Sequence, residues 1–313
     1  MKMREIKRKV LKQFSSARII LFGFIIMIFV GASILSLPIS SRSGEFTPFI
    51  DALFTATSAS CVTGLIVYDT ATHWSVFGKI IIIAMIQCGG LGVVTMLTVF
   101  TQVTGKKIGL RDRATLQSAL SAPQIGGIVR LTSFIFKATI IIEMIGALLM
   151  FPRFMKDFGI TKGIYYSVFH SISAFCNAGF DLMGDVSKFS SLTKYQSDIM
   201  INVTIMLLIL IGGLGFLIWK DIFDYRFDIK RYSTQTKIVL TMTFILVLFP
   251  SILFFFTEFS TLDIKTRVLS SLFQAVTPRT AGFNTIDYTK FSDNGIAMTI
   301  ILMLIGGGTG STA

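Results

Sequence analysis

The chain has 313 residues, of which 52% are hydrophobic and only 15% are charged, and its formal net charge is +12. Soluble domains carry roughly 25% charged residues, so this composition excludes an ordinary soluble protein and indicates one that crosses a membrane several times. The positive charge does not indicate a nucleic-acid partner, because the basic residues sort onto alternate segments between apolar stretches.

Lysine and arginine concentrate in residues 1–18, 101–130 and 220–237, whereas the alternate loops are thinner in positive charge and mixed with acids. The positive-inside rule therefore places these three segments, and with them the N-terminus, in the cytoplasm. Residues 1–18 are expected to form a basic helix on the inner surface of the plasma (inner) membrane. No cleaved signal peptide is expected, because the apolar run that begins at Ile19 is long enough to remain as a span.

The first unit, residues 19–100, is predicted to form a span, a half-helix, a turn and a second span. We predict these elements at residues 19–37, 46–60, 61–65 and 75–100. The half-helix is apolar but too short to cross a bilayer, which takes about 20 residues. An apolar half-span that ends in small residues and one glycine is typical of a re-entrant pore loop. Residues 89–92 (Gly-Gly-Leu-Gly) interrupt the second span, and we interpret them as small residues for close helix packing.

The unit recurs twice, with a period of roughly 100 to 115 residues. The second copy, residues 131–219, has its elements at 131–151, 163–174, 175–180 and 197–219. The third, residues 238–313, has them at 238–256, 266–276, 277–284 and 294–313. Three pore loops do not obviously close a ring, so we expect a fourth copy to be missing and the third to be incomplete at its C-terminal end. The predicted fold is thus an all-α polytopic membrane protein of repeated span–pore loop–span units, as in potassium channels.

Each of the three turns carries one glycine after small residues. The candidate filter residues are Val62, Thr63, Gly64, Asn177, Ala178, Gly179, Thr280, Ala281 and Gly282. Backbone carbonyls can replace the hydration shell of an ion, and glycine reaches backbone angles that direct its carbonyl at a pore axis. A half-helix also points its negative C-terminal end at the turn, which favours cations. One such glycine is more often an ordinary loop or close contact, but three aligned copies favour a filter, and one glycine per loop implies modest selectivity.

Five motifs together resemble the Trk/Ktr/HKT superfamily of potassium transporters, and within it the bacterial KtrB type of membrane subunit. They are Thr-Ser-Ala-Ser-Cys-Val-Thr-Gly-Leu at 57–65, Gln-Cys-Gly-Gly-Leu-Gly at 87–92, Ser-Ala-Phe-Cys-Asn-Ala-Gly-Phe at 173–180, Pro-Arg-Thr-Ala-Gly-Phe-Asn at 278–284 and Gly-Gly-Gly-Thr-Gly-Ser-Thr-Ala at 306–313. The resemblance implies four unlike repeats around one pore, with filter glycines at Gly64, Gly179 and Gly282. It also implies a homodimer on a cytosolic ring of KtrA-like nucleotide-binding regulatory subunits. The transported ion would be K+, a role for Na+ stays open, and no bound cofactor is implied.

The resemblance further places an intramembrane gate beneath the filter, at Gly306, Gly307, Gly308, Thr309 and Gly310. The residues fit this role, because glycines weaken a helix. The alternative is close helix packing through small residues, as at residues 89–92 and 212–215. A phosphate-binding loop is excluded here, since no lysine stands at the required position.

Charged residues near the turns leave several roles open. Arg279 is expected to brace the third loop by pairing with a nearby acid. Asp69 and Asp181 form either a cation-attracting outer mouth or ordinary solvated loop acids. Lys137 lies near enough to the inner end of its span to extend its amine to the surface. Glu143 lies deeper and is either a functional group or a packed acid.

Two histidines and three dispersed cysteines, Cys61, Cys88 and Cys176, provide neither a zinc site nor a disulfide framework. We interpret His73 as an anchor at the membrane interface and His170 as a packed histidine. These residues and the sparse acids also fail to form a catalytic constellation, so a membrane-embedded enzyme is the weaker interpretation. A non-conducting assembly subunit stays open as an alternative to a conducting one.

Overall fold

The computed structural model describes residues 15–104, 108–122, 124, 126–226, 228–308 and 310–312. Within those ranges every regular element is a helix, and strand pairing is limited to one isolated bridge between Ser41 and Trp74. The expectation of an all-α protein is therefore confirmed. The helix predicted on the inner surface falls mainly on residues 1–14, which lie outside the described ranges, so it stays a prediction.

The described residues up to Gly127 form six α-helices. They are α1 (Ser16–Ser36), α2 (Phe49–Ser60), α3 (Thr70–His73), α4 (Val76–Leu91), α5 (Val93–Val103) and α6 (Leu110–Ala119). The predicted first span and half-helix correspond to α1 and α2, and α2 begins directly after Pro48, which cannot donate a backbone hydrogen bond. Helix α6 lies within residues 101–130, where the sequence indicated only a cytoplasmic loop.

From Ile128 onward, the described residues form six more α-helices. They are α7 (Ile128–Phe175), α8 (Ile199–Leu214), α9 (Phe216–Tyr225), α10 (Thr234–Thr257), α11 (Ile264–Val276) and α12 (Asp293–Ile305). By length and composition α1, α7 and α10 can each cross a membrane. Helices α4 and α5, and likewise α8 and α9, form two further candidate spans that bend by 96° and 97°. The sequence analysis located both interruptions but did not predict a near right-angle bend.

Helix α7 departs most from expectation. A span ending at residue 151 and a separate half-helix from 163 were predicted, but the helix continues through Pro152 and breaks only at Gly159, where φ is 80°. Beyond the break the chain folds back closely, since a methyl group at Gly163 would lie 2.8 Å from the Met155 backbone. The second half-helix therefore joins its span through one glycine instead of a loop.

The half-helices bury one face inside the molecule, while residues such as Ile50 and Ile264 on other faces stay exposed. Ala52, Ala56 and Ala59 on one face of α2 are fully buried. Large apolar side chains instead cover the outside, with Ile26 62%, Leu148 66% and Leu304 87% exposed. A soluble protein rarely presents such a continuous apolar surface, whereas lipid tails can solvate it.

Candidate functional site

Three short helical segments end in turns of the same backbone shape. They are α2, the part of α7 after Gly159, and α11. In each turn the predicted filter glycine and the residue two positions before it have positive φ angles: Val62 57° and Gly64 78°, Asn177 56° and Gly179 70°, Thr280 72° and Gly282 78°. Valine and threonine seldom adopt this region, so strained backbone recurs at equivalent positions, as it does at functional sites.

The three turns meet, although they are far apart in the sequence. A methyl group at Gly64 would lie 2.6 Å from the Ala178 carbonyl oxygen, and one at Gly179 would lie 2.6 Å from the Ala281 carbonyl oxygen. A side chain at either glycine would therefore collide with the backbone of the next turn. The turns therefore form an arc in chain order, in which the first turn contacts the second and the second contacts the third.

Hydroxyl groups hold the turns in shape. The Ser173 hydroxyl donates to the Phe180 carbonyl oxygen at 2.7 Å, and the Thr277 hydroxyl donates to the Phe283 carbonyl oxygen at 2.6 Å. In the first turn the Thr63 hydroxyl donates to the Ser58 hydroxyl at 3.0 Å. In the second and third turns these bonds link the chain on both sides of the glycine, whereas in the first turn the bond lies before Gly64. None of them was predicted from the sequence.

The Gly-Gly-Leu-Gly motifs lie directly beneath the half-helices. A methyl group at Gly89 would lie 2.1 Å from the Ser60 carbonyl oxygen, and one at Gly212 would lie 1.9 Å from the Phe175 carbonyl oxygen. The last glycine of each motif, Gly92 or Gly215, instead has a positive φ, 83° and 105°, at the bend. The packing interpretation therefore holds for the first glycine of each motif, whereas the last one allows the bend.

The glycine-rich segment at residues 306–312 lies against the second bend. The Gly308 amide donates to the Gly213 carbonyl at 2.8 Å, and the Phe216 amide donates to the Gly310 carbonyl at 2.9 Å. The Thr312 hydroxyl donates to the Phe175 carbonyl oxygen at 3.0 Å. Of the predicted gate residues, Thr309 falls outside the described ranges. The others begin where α12 ends, and hydrogen bonds tie the segment beneath the second half-helix.

Arg279 does brace the third loop, but the expected pairing with an acid is wrong. Its side chain is 7% exposed, and the guanidinium donates to the Thr243 hydroxyl at 3.2 Å and approaches the Gly306 carbonyl oxygen at 3.5 Å. In the described part of the chain no acid forms an ion pair with it. The arginine thus connects the third turn to α10 and to the start of the glycine-rich segment.

The two acids that follow the turns differ. Asp69 is buried, accepts the backbone amides of Ala71 and Thr72 and also accepts the Phe189 amide at 3.0 Å, so it is neither solvated nor free to meet an ion. Asp181 is half-buried and accepts the Met183 amide at 2.8 Å. Burial raises the pKa of Asp181 to about 6, and the negative charge of Asp69 acts in the same direction.

The histidines are packed. The His170 ring is fully buried; its Nε2 accepts the Leu182 amide at 3.2 Å, so its Nδ1 carries the proton and donates to the Tyr166 carbonyl at 2.7 Å. The interpretation of His170 is confirmed, but its role in fixing the chain after the second turn was missed. His73 stacks on Tyr68 with ring centroids 4.0 Å apart and bonds the Thr47 hydroxyl at 3.1 Å.

The fold and these turns define a polytopic membrane protein with short half-helices that end in turns and two candidate spans that bend sharply. Residues 21–313 match the family model of TrkH, described as a cation transport protein. The chain is 42% identical to the potassium/sodium uptake protein NtpJ of Enterococcus hirae over 98% of its own length and 68% of that protein. It is 41% identical to the Ktr system potassium uptake protein B of Bacillus subtilis over 98% of its own length and 69% of that protein.

Among solved structures, the potassium transporter TrkH of Vibrio parahaemolyticus has the same fold, with a TM-score of 0.67 at 20% identity over 96% of this chain and 58% of that one. The chain thus spans about two thirds of the curated relatives and somewhat more than half of that transporter. It belongs to the TrkH family of cation transport proteins. Its relatives are uptake proteins and not enzymes, in agreement with the sequence analysis.

Proposed function

We propose that this chain is the ion-translocating membrane subunit of a bacterial potassium uptake system. The observation that supports this most directly is the meeting of three turns with the same pair of positive φ angles. Their carbonyl groups would replace water around a dehydrated K+, while the half-helix ends add negative potential. The passage is passive, and K+ is cargo and not a resident cofactor.

The filter consists of Val62, Thr63, Gly64, Asn177, Ala178, Gly179, Thr280, Ala281 and Gly282. One glycine per turn supplies fewer carbonyl rings than a filter with two, so discrimination against Na+ is modest. A relative at 42% identity is named for both potassium and sodium, which agrees with this proposal.

The gate is the segment at Gly306 to Gly310, directly beneath the turns. Four glycines there remove side chains that would fill the pore and lower the stability of a helix. Its contacts with Gly213, Phe216 and Arg279 are compatible with a closed position.

The pore-forming units are residues 19–100, 131–219 and 238–313, with cytoplasmic loops at 101–130 and 220–237 and a cytoplasmic segment at 1–18. A fourth unit outside this chain would complete the ring. Among the described residues, a methyl group at Gly282 would meet only Gly179 within 4 Å and nothing of the first turn, which supports a fourth unit at this place. The open side of the arc therefore lies between the third and the first turn.

In the cell the protein is a homodimer in the plasma membrane, with its N-terminus inside, on a cytosolic KtrA-like nucleotide-binding ring. The basic inner segments favour this orientation. Three relatives are named as protein B or D of a Ktr system, a name that describes one component among others.

The filter is tested by Gly64→Ser and Gly179→Ser in a bacterium that lacks its own potassium uptake. Both should raise the K+ concentration needed for growth, because serine collides with the next turn and disfavours the required φ. Gly44→Ser is the matched control, since Gly44 also has a positive φ (75°) but no atom within 4 Å of its added carbon. Unchanged growth of both filter variants at low K+ would refute the filter assignment.

The gate is tested by deleting residues 306–310 from a version of the protein that transports rubidium in vesicles. Flux should rise, because the deletion removes the obstruction beneath the filter. A slower or unaltered flux, with normal protein level, would contradict the gate. Rubidium flux in vesicles with this chain alone, measured beside vesicles with a full-length version, separates the conducting interpretation from a non-conducting assembly subunit, which would give no flux.

A further inference from the structure

A cavity of about 430 Å³ opens on the outer face of α7, between the segment before Gly159 and the half-helix after it. Its walls are largely apolar side chains of the two segments, among them Met144, Leu148, Ile164 and Val168. Three of these, Met144, Leu148 and Ile164, are more than half exposed on the apolar surface of the protein. A molecule dissolved in lipid can therefore reach the cavity sideways.

Glu143 is the one charged residue among the described residues that line this cavity. It lies halfway along the first segment of α7 and is 8% exposed. Its Oε2 accepts the Gln87 side-chain amide at 3.2 Å, whereas its buried Oε1 has no hydrogen-bond partner. A buried oxygen without a hydrogen-bond donor costs about 1–3 kcal/mol of stability, and more if it is charged. The site therefore favours a ligand that brings a hydrogen-bond donor.

The same carboxylate is connected to the second filter turn. The Gln87 side-chain oxygen accepts the Cys176 thiol at 3.7 Å, and Cys176 directly precedes Asn177. The thiol has little room to move, because a methyl group at Gly90 would lie 2.8 Å from its sulfur. In addition, the Ser171 hydroxyl donates to the Glu143 carbonyl at 2.6 Å. A displacement of Glu143 would therefore reach the turn through side chains already in contact.

We propose that this cavity is a binding site for a membrane-soluble amine with a compact hydrocarbon body. The amine N–H donates to the free Glu143 oxygen, and the hydrocarbon fills the apolar walls. The attraction between ammonium and carboxylate is strong where water is excluded. Rotation of the carboxyl about its last torsion, which is a soft one, brings the oxygen toward the ligand.

Occupancy of the site acts on the second turn. When the carboxylate rotates toward the ligand, the side-chain amide of Gln87 loses its acceptor. The hydrogen bond between Gln87 and the Cys176 thiol then weakens. The amine thereby lowers ion flux without entering the pore. This consequence rests on the proposed transport function, whereas the binding itself does not.

Dicyclohexylamine and dicyclohexylmethane test the binding, since the two differ only by nitrogen in place of a CH₂ group. The full chain, purified in detergent, is heated with increasing concentrations of each, and Kd is taken from the thermal stabilisation. The amine should bind at least tenfold more tightly than the hydrocarbon. Glu143→Gln should abolish this preference while keeping an acceptor for Gln87. Glu45→Gln, at an exposed acid before α2, should retain it.

Equal stabilisation by the two compounds, or an amine preference that survives Glu143→Gln, would overturn the proposal. Ala147→Phe provides an independent variant, because it fills the cavity and leaves the carboxylate in place. It should weaken binding of both compounds tenfold or more, and unchanged binding would show that the ligand sits elsewhere.

The effect on the turn is measured as rubidium flux in vesicles at saturating amine. Flux should fall severalfold, and Gln87→Leu, which cuts the link to Cys176, should make it insensitive to an amine that still binds. Binding without any change in flux would refute the link to the filter. A version of the protein that includes the fourth unit and binds the amine but conducts nothing would refute the transport function and leave the binding site intact.

Discussion

The first and second turns share a backbone and differ in their surroundings. Cys61 and Thr63 of the first are exposed, whereas Cys176 and Ala178 at the equivalent positions of the second are fully buried. The second turn lies between its two neighbours, while the first borders a cavity of about 730 Å³ that also reaches α1 and the glycine-rich segment. Position in the arc, and not local sequence, decides how tightly a turn is enclosed.

The two turns also differ in the residues that hold them in place. The second is held by Gln87, by His170 after the glycine and by Thr312 below. The first has the Thr63–Ser58 contacts and open space beneath it. Equivalent substitutions should therefore have unequal effects at the two turns.

The largest difference is expected beneath the turns. Gly212→Ala would place a methyl group 1.9 Å from the Phe175 carbonyl oxygen and 2.9 Å from the Thr312 hydroxyl, with no space to relax into. The three atoms nearest to a methyl group at Gly89 all belong to the Ser60 backbone, and Ser60 borders the cavity, where it has space to shift. We expect a loss of about 3 kcal/mol for Gly212→Ala and less for Gly89→Ala. Thermal unfolding in detergent measures both, with exposed Gly126→Ala as control; equal losses would contradict the comparison.

The next largest difference concerns thiol reactivity. Cys61 is exposed and Cys176 is fully buried, so a water-soluble thiol reagent reaches Cys176 only through local opening. In a Cys88→Ala background we expect Cys61 to be modified on the order of a hundredfold faster. Mass spectrometry of peptides over time gives both rates. Comparable rates would mean that the second turn is not enclosed.

A smaller effect on stability is expected from substituting the residues that have positive φ angles in the turns. Asparagine tolerates this region. With the amide group of Asn177 turned so that its nitrogen faces the two acceptors, the side chain also donates to the Ala174 and Ile209 carbonyls at 3.2 and 3.3 Å. Asn177→Val should therefore cost about 1–3 kcal/mol. Val62→Asn should be neutral or stabilise by up to about 1 kcal/mol. Thermal unfolding of the two variants checks the signs, and destabilisation by Val62→Asn would show that valine is favoured there by packing.

The smallest effect is expected from pH. Because the pKa of Asp181 is raised to about 6, the side chain is ionised above that pH and neutral below it. An ionised carboxylate after the second turn attracts cations, so uptake at low K+ should fall a few-fold as external pH drops through 6. Asp181→Asn should be slower at pH 7.5 and lack this step. A step that persists in the variant would assign it to another group.

The sequence predicted the turns because small residues before a glycine, placed between long apolar runs, leave few alternatives in a membrane. It predicted the interruptions at residues 89–92 and 212–215 for the same reason. It did not predict their right-angle bends, since a glycine permits both close helix packing and a positive φ. The continuous helix through Pro152 was missed because proline usually ends a helix in soluble proteins.

Contacts between residues that are far apart in the chain could not be predicted from the sequence either. Arg279 contacts Thr243 and Gly306. Nothing in the sequence around Arg279 indicates these partners instead of an acid elsewhere in the chain. Gln87 carried one usable signal, an amide within an apolar helix, where an unsatisfied polar group is costly. Its partners Glu143 and Cys176 lie in another unit and become apparent only when the units are assembled.

The bonds from Gly308 and Thr312 to the second bend, and from Phe216 to Gly310, join main chain to main chain. If the glycine-rich segment swings aside, these amides and carbonyls lose their partners in a region where lipid offers none. Only incoming water can satisfy them, at about 0.5–1.5 kcal/mol for each exchanged bond. If this segment is the proposed gate, entry of water and opening would be a single event, and the contacts that close the passage would also keep it dry.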